Sequence, residues 1–207
     1  MSNTDERRAE LEAIAQEVHA CTRCPLHQSR TNAVPGSGPV TAEIMFIGEG
    51  PGFYEDQQGL PFVGASGKFL DELLQGVGLE RRDVYITNVV KCRPPGNRDP
   101  RPDEIEACAG YLDRQIELID PKMIITLGRF SMAKWFPNGR ITQIHGQARK
   151  IGGRLYMPMF HPAAALRNPK LRPEVEADFS KIPELLKEMA NLRDDAPPDQ
   201  AQQLSLF

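Results

Sequence analysis

Two groups of side chains in this 207-residue chain carry atoms suited to chemistry. One is a set of four cysteines, Cys21, Cys24, Cys92 and Cys108; the other is Glu49, Asn88 and His161, each placed at the end of an apolar run. The cysteines comprise a C-x-x-C pair followed by Pro25 and two singles separated by a loop and a helical turn. Thiolates are soft ligands that suit zinc or iron–sulfur. A zinc ribbon wants two C-x-x-C knuckles, so the irregular spacing and the Cys-Pro step favour an iron–sulfur cluster. For Cys108 alone the competing reading is a small buried hydrophobe on the core face of its helix. In a reducing compartment disulfide pairing is not expected.

Glu49 opens the stretch Gly48 to Gly64, GEGPGFYEDQQGLPFVG, which follows an apolar strand. Strand-to-helix connections need only about two to six residues, and one this long, rich in turn residues and carboxylates, reads as an active-site loop. The competing reading is a Gly/Pro-rich surface loop. Gly67-Lys68 has a partial likeness to a phosphate-binding loop, but Phe69 stands in place of the Ser/Thr and Phe62 in place of the first glycine, which excludes that reading.

The elements that must position these groups follow from periodicity. Leu11, Ile14, Ala15 and Val18 mark an amphipathic helix over residues 5 to 20 that delivers Cys21. Strands are expected at Ile44 to Ile47, Val84 to Val90, Met123 to Leu127 and Leu155 to Phe160, the second nearly continuously apolar as a central parallel strand should be. Helices are expected around Phe69 to Val77, closing at Gly78, and from an Asp103 cap through Ile119. Two more follow, at Arg129 to Phe136 and Pro173 to Leu192, while RPPGNRDPRP is too proline-rich for either element. Alternating strands and helices give an α/β three-layer sandwich, with a central, mainly parallel four-stranded sheet flanked by helices. Ligands bind beyond the carboxyl ends of such strands, where Glu49, Asn88, Gly128 and His161 lie.

A chain of this length can bury a core without disulfides. No stretch approaches the roughly 20 apolar residues of a membrane span, and the charged start MSNTDERRAE is unlike a signal peptide, so a cytoplasmic, monomeric protein without membrane contact is expected. The net charge of −3 argues against a bulk electrostatic DNA coat, although arginines cluster locally. Residues 1–192 are expected to form one domain and 193–207 a disordered tail.

Taken together, GEGPG with PFVG downstream, Tyr-Ile-Thr-Asn88 leading into KCRPPGNRDP, and His161-Pro-Ala-Ala-Ala-Leu166 resemble the family-4 uracil-DNA glycosylases, over about residues 10 to 190. The resemblance implies hydrolysis of the bond between uracil and its sugar in single- or double-stranded DNA, leaving an abasic site. It also implies a 4Fe-4S cluster on the four cysteines. The family's uracil pocket falls on Glu49, Gly50, Pro51, Phe62, Asn88 and His161. Phe62 offers a stacking face to a flipped base. The Asn88 amide matches uracil N3–H and O4, and cytosine reverses that pattern. His161 is placed to donate to uracil O2 as charge develops there.

In the best-known uracil glycosylases an aspartate occupies the position of Gly50, so Glu49 is left either to position water or to steady the sugar cation, and Glu55 to crowd C5 against thymine. Leu166 resembles the wedge that fills the gap left by a flipped base, with Arg167, Lys170 and Arg172 beside it for phosphates. A solvated charged turn is the alternative there. The final Gln203-Leu204-Ser-Leu206-Phe207 resembles the bacterial sliding-clamp-binding motif. Two rival functions carry different signatures. A superfamily branch that is covalently trapped on uracil-DNA carries a GEQPG loop and a histidine-bearing insertion, whereas here Gly50 replaces the glutamine and RPPGNRDP has no histidine. An iron–sulfur electron-transfer protein would account for the cysteines and not for Glu49, Asn88 and His161.

Overall fold

The apolar runs become strands because they are covered on both sides. In the computed structural model, which describes residues 3–191 and 194–195, the strands are β1 (Ile44–Gly48), β2 (Val84–Asn88), β3 (Met123–Leu127), β4 (Arg149–Ile151), β5 (Arg154–Met159) and β6 (Asp194–Asp195). Every residue of β1, β2 and β3 is buried, as a sheet packed on both faces requires. Their order is β2-β1-β3-β5-β4-β6; β1 runs parallel to β2 and β3, and β3 parallel to β5.

The helices are α1 (Asn3–Ala20), α2 (Phe53–Gln58), α3 (Ala65–Gly76), α4 (Pro102–Ile119), α5 (Arg129–Ala133), α6 (Ile141–Ile144), α7 (Pro162–Arg167), α8 (Arg172–Ser180) and α9 (Ile182–Glu188). Strand residues alternate between two apolar layers. Met45, Ile47, Tyr85 and Ile124 pack with Ile14 and Val18 of α1 and with Ile105, Leu112 and Ile116 of α4. Ile44, Phe46, Ile86 and Ile125 pack with Leu70 and Leu74 of α3 and with Val175 and Phe179 of α8. This is the expected three-layer α/β sandwich.

The sheet has more strands than the four expected. β4 pairs antiparallel with β5 through a turn at Gly152-Gly153, both at positive φ, and β6 pairs parallel with β4. The run Arg149-Lys150-Ile151 buries only Ile151, so it lacks the apolar pattern of the other strands. Asp194–Asp195 lies in the segment expected to be disordered; the open edge of β4 gives its backbone a partner.

Three element boundaries also shift. β2 ends at Asn88 rather than Val90, because Val89 and Val90 donate instead to the carbonyls of Gly48 and Glu49. α4 is capped at Arg101, whose N–H donates to Glu104, with Pro102 in the first turn; Asp103 lies inside the helix. The long final helix is interrupted at Lys181, just before Ile182-Pro183, because a proline lacks the amide a continuing helix would need.

Candidate active site

The parallel register places Gly48 of β1 beside Asn88 of β2. His161 follows β5, and all three chain segments open on one cleft of about 300 Å³. Glu49, Gly50, Pro51, Glu55, Phe62, Asn88 and His161 all line it, together with Arg167. Seven residues picked from the sequence as base-pocket candidates thus share one concave site at the carboxyl edge of the sheet.

Asn88 is 1% exposed, and its Oδ1 has no hydrogen-bond partner among the described residues. A buried acceptor left unpaired costs on the order of 1–3 kcal/mol, which makes Oδ1 an acceptor awaiting a donor. Its neighbour must be glycine: a Cβ on Gly48 would lie 2.4 Å from this oxygen and 2.8 Å from the Phe62 ring.

The loop after β1 is not irregular throughout, since it contains α2. Glu55 is the clasp that shapes it. Its carboxylate accepts from the backbone N–H of Gly52 (3.1 Å), Val63 (2.9 Å) and Gly64 (2.9 Å), tying both ends of the loop to one side chain. Phe62 holds a positive φ of 53°, an uncommon conformation for an aromatic residue that needs external support. Arg81 supplies it by donating to the carbonyls of Pro61 and Phe62 while paired to Asp71 at 2.5 Å. Gly67 completes the fit, because a Cβ there would lie 1.7 Å from the Phe62 carbonyl oxygen. The glycine that suggested a phosphate-binding loop therefore serves a close backbone approach.

His161 caps α7, its Nδ1 accepting from the Ala163 N–H at 3.1 Å. Burial, and then the nearby Arg167, lower its pKa to about 4, opposed by Glu55, so the imidazole is neutral at pH 7. With Nδ1 accepting, the single ring proton sits on Nε2, which makes that atom a donor. The His161 and Phe62 rings lie near-parallel, centroids 5.4 Å apart. Glu49 behaves oppositely: burial, then the Asp99 carboxylate, push it up to about 6 against the pull of Arg129 and Arg167. At neutral pH the cleft therefore presents a carboxylate and a neutral imidazole.

The four cysteines are free thiols and line a second, smaller pocket with Arg23, His27, Arg30 and Lys91. Among the described residues no three His, Cys, Asp or Glu side chains group tightly enough to hold a single metal ion. Two donors face sulfur directly. Arg30 Nη1 donates to Cys92 Sγ at 3.0 Å and the Lys91 N–H to Cys108 Sγ at 3.3 Å. Burial pushes the Cys108 thiol up to about 11.

Lys91, which follows β2 between Asn88 and Cys92, joins the two sites. It is 1% exposed, and its Nζ donates to Thr87 Oγ1 (2.6 Å), the Asn88 carbonyl (2.9 Å) and Gln115 Oε1 (2.7 Å). Arg98 and Asn97 of the proline-rich loop also line the cleft. Arg98 pairs with the fully buried Glu104 (2.5 Å), and the hydrogen bond from Arg98 is the main reason the Glu104 pKa is lowered. The Glu at the third position of a Pro-led helix was the available clue.

Of the expected DNA contacts, Leu166 is 45% exposed and Arg167 lines the cleft, while the Lys170 side chain points to solvent. Arg172 is engaged by Glu72 (3.0 Å) and Glu176 (2.8 Å) and lies over the Phe69 ring. Gln203, Leu204, Leu206 and Phe207 fall outside the described residues. No helix among the described residues is long and apolar enough to cross a membrane.

Comparison with known proteins agrees with this geometry. The family model of the uracil DNA glycosylase superfamily matches residues 35–187. The chain is 52% identical to the type-4 uracil-DNA glycosylase of Sulfurisphaera tokodaii, over 84% of each chain. It is 47% identical to that of Archaeoglobus fulgidus, over 84% of this chain and 92% of the relative. It is 50% identical to that of Saccharolobus solfataricus, over 85% and 86%. A buried amide acceptor, a neutral imidazole donor and a carboxylate at one sheet edge, with a family match spanning all three, place this chain in the type-4 family of the uracil-DNA glycosylase superfamily.

Proposed function

We propose that the protein is a DNA repair enzyme that flips uracil out of DNA and hydrolyses its N-glycosidic bond, releasing free uracil and leaving an abasic site. The observation that carries this reading is the unpaired Asn88 Oδ1, buried at the base of the cleft. Uracil N3–H supplies the missing donor, and the amide NH2 is then directed at O4. Cytosine has an acceptor at N3 and a donor at C4, so it would leave both buried groups unpaired, and sites built this way reject the mismatched partner strongly.

The reaction breaks the bond between uracil N1 and the sugar C1′, with the electron pair leaving on the base. His161 Nε2–H donates to O2 as negative charge develops there, and a neutral donor costs the pocket no buried cation. Phe62 lines the pocket as the base's stacking face. Glu49, ionised above about pH 6, faces the positive charge growing on the sugar and orients the water that adds to C1′, and the proton that water loses neutralises the departing uracil anion. Glu55 is bound to three backbone amides, so its part is to hold the loop in shape; any crowding of C5 comes from that fixed position.

Cys21, Cys24, Cys92 and Cys108 would hold a 4Fe-4S cluster, supported by their common pocket and by the donors aimed at sulfur. Such a cluster would cross-link the segment after α1 to the loop after β2 and to α4. Leu166 would fill the space vacated by the base, and Arg167 with Lys170 would hold phosphates. The 203–207 segment would dock in a sliding clamp.

One assay tests the reading. Mixed with uracil-containing single- and double-stranded DNA, the protein should release free uracil and leave alkali-labile abasic sites. A stable protein–DNA adduct would point instead to a trapped binder, and neither product would overturn both.

A further inference from the structure

Four large apolar side chains stand exposed among the described residues, and two are adjacent aromatics, Phe53 (49%) and Tyr54 (59%). Their rings meet edge to face with centroids 5.5 Å apart. The Arg93 guanidinium sits 5.1 Å from the Phe53 ring centre, and its Nε donates to Asn97 Oδ1 at 2.7 Å. Asn97 lines the cleft, as do Gly52 and Glu55, which flank the aromatic pair in the chain. The pair and its arginine therefore border the mouth of the uracil site.

We propose that Phe53, Tyr54 and Arg93 form a platform on which an unpaired base next to the flipped uracil stacks, giving the enzyme extra grip on single-stranded DNA. The proposal rests on the glycosylase reading and concerns a part of the strand that the base pocket does not touch. Continuity with the cleft and the chemistry of the surface select this occupant. Every base has a π face, and base–aromatic stacking beside an arginine is tolerant of sequence. The guanidinium adds a cation for the neighbouring phosphate. In a duplex the adjacent bases remain stacked on one another and hide those faces, so the platform gains most where the neighbours are unpaired.

The test compares wild type with Phe53→Ser and with Phe53→Ser/Tyr54→Ser, all changes at exposed positions, in single-turnover uracil release at varied enzyme concentration. On single-stranded DNA the half-saturating concentration should rise about tenfold in the double variant, with the maximal rate unchanged. On duplex DNA it should move less than twofold. Replacing the bases flanking uracil with abasic sites should weaken the wild type by a similar factor and erase its difference from the variant. Equal affinity of wild type and variant for single strands, equal losses on both substrates, or a difference that survives abasic neighbours would overturn the platform. So would sedimentation showing that the wild type self-associates and the variant does not, because the patch would then be a contact between copies.

Binding of uracil-free single-stranded DNA, followed by fluorescence anisotropy, separates the two readings. A wild type that releases no uracil yet binds such DNA more tightly than the variant would leave the platform standing without the glycosylase.

Discussion

At the scale of single residues, Glu49 and His161 show how one cleft holds two titratable groups in opposite states. Burial works against the charged form of each, which raises the acid and lowers the base. His161, at about 4, is neutral across the working range and contributes nothing to the pH profile above pH 5. Glu49, at about 6, should set its acid limb: single-turnover excision should fall as pH drops through about 6, and Glu49→Gln should lower the rate and flatten that limb. A limb unchanged in Glu49→Gln would remove the carboxylate from the reaction. The same shift carries a stability consequence. A carboxyl whose folded pKa is raised loses folding stability as pH climbs through that value, so Glu49→Gln should raise the melting temperature at pH 7 to 8 and leave it unchanged at pH 4. His161→Ala, which removes the Nε2 donor, should cost about 10²- to 10³-fold in the excision rate with little change in DNA binding.

At the scale of elements, the site is held by clasps on loops. Glu55 binds both ends of the 48–64 loop, Arg81 and Gly67 fix the strained Phe62, and Glu104 ties Arg98 of the proline-rich loop to the start of α4. Glu104 is fully buried but Arg98 is 33% exposed, so loss of the carboxylate releases Arg98 to water and leaves the Arg101 N–H unpaired, and Glu104→Ala should destabilise the fold by about 1–2 kcal/mol in urea unfolding. Because the Glu104 pKa is lowered, the contribution is present above its unfolded value and fades as pH falls below it, so wild type and variant should converge in acid. Gly67→Ala should displace Phe62 and weaken uracil inhibition while the sheet stays intact, which near-native circular dichroism would show.

The four apolar strands, the core-facing helices α1, α3 and α4 and the Glu49–Asn88–His161 convergence were legible in the sequence, because continuous apolar runs and strand-end polar residues report burial and topology directly. β4 was not, since its pairing is set by the Gly152-Gly153 turn and the β5 edge rather than by its own side chains. Lys91 was not, because a lysine in sequence reads as surface, and only the meeting of Thr87, Gln115 and the Asn88 carbonyl makes a buried one tolerable. The three amides that converge on Glu55 were not legible either, because they come from residues 52, 63 and 64 and meet only once the loop is folded.

At the scale of the whole molecule, the cysteine pocket and the cleft are two ends of one network. From the cysteine side, Arg30 bonds Cys92, and the next two residues reach α2: the Thr31 N–H donates to the buried Asp56 (2.8 Å) and Asn32 Nδ2 to the Asp56 carbonyl (2.9 Å). α2 carries Glu55, the clasp of the loop. A second route runs through Lys91, adjacent to Cys92 and bonded to the Asn88 carbonyl. α1 has anchors of its own besides the Arg30 donation to its His19 carbonyl, with Arg7 donating to the carbonyls of Val40, Leu118 and Ile119 and Glu17 paired to Arg114. Stripping the proposed cluster by oxidation and chelation should therefore loosen the molecule in an order set by these contacts. Amide exchange should accelerate first over residues 21–34 and 89–101, then over 52–64, while β1, β3 and β5 stay protected because they are paired on both sides and their second apolar layer, shared with α3 and α8, contains no cysteine. Uracil excision should fall with the exchange of 52–64, not with that of 21–34, since the loop clasp is the link that reaches the base. Accelerated exchange confined to 21–34, with excision unchanged, would show the two sites to be mechanically separate.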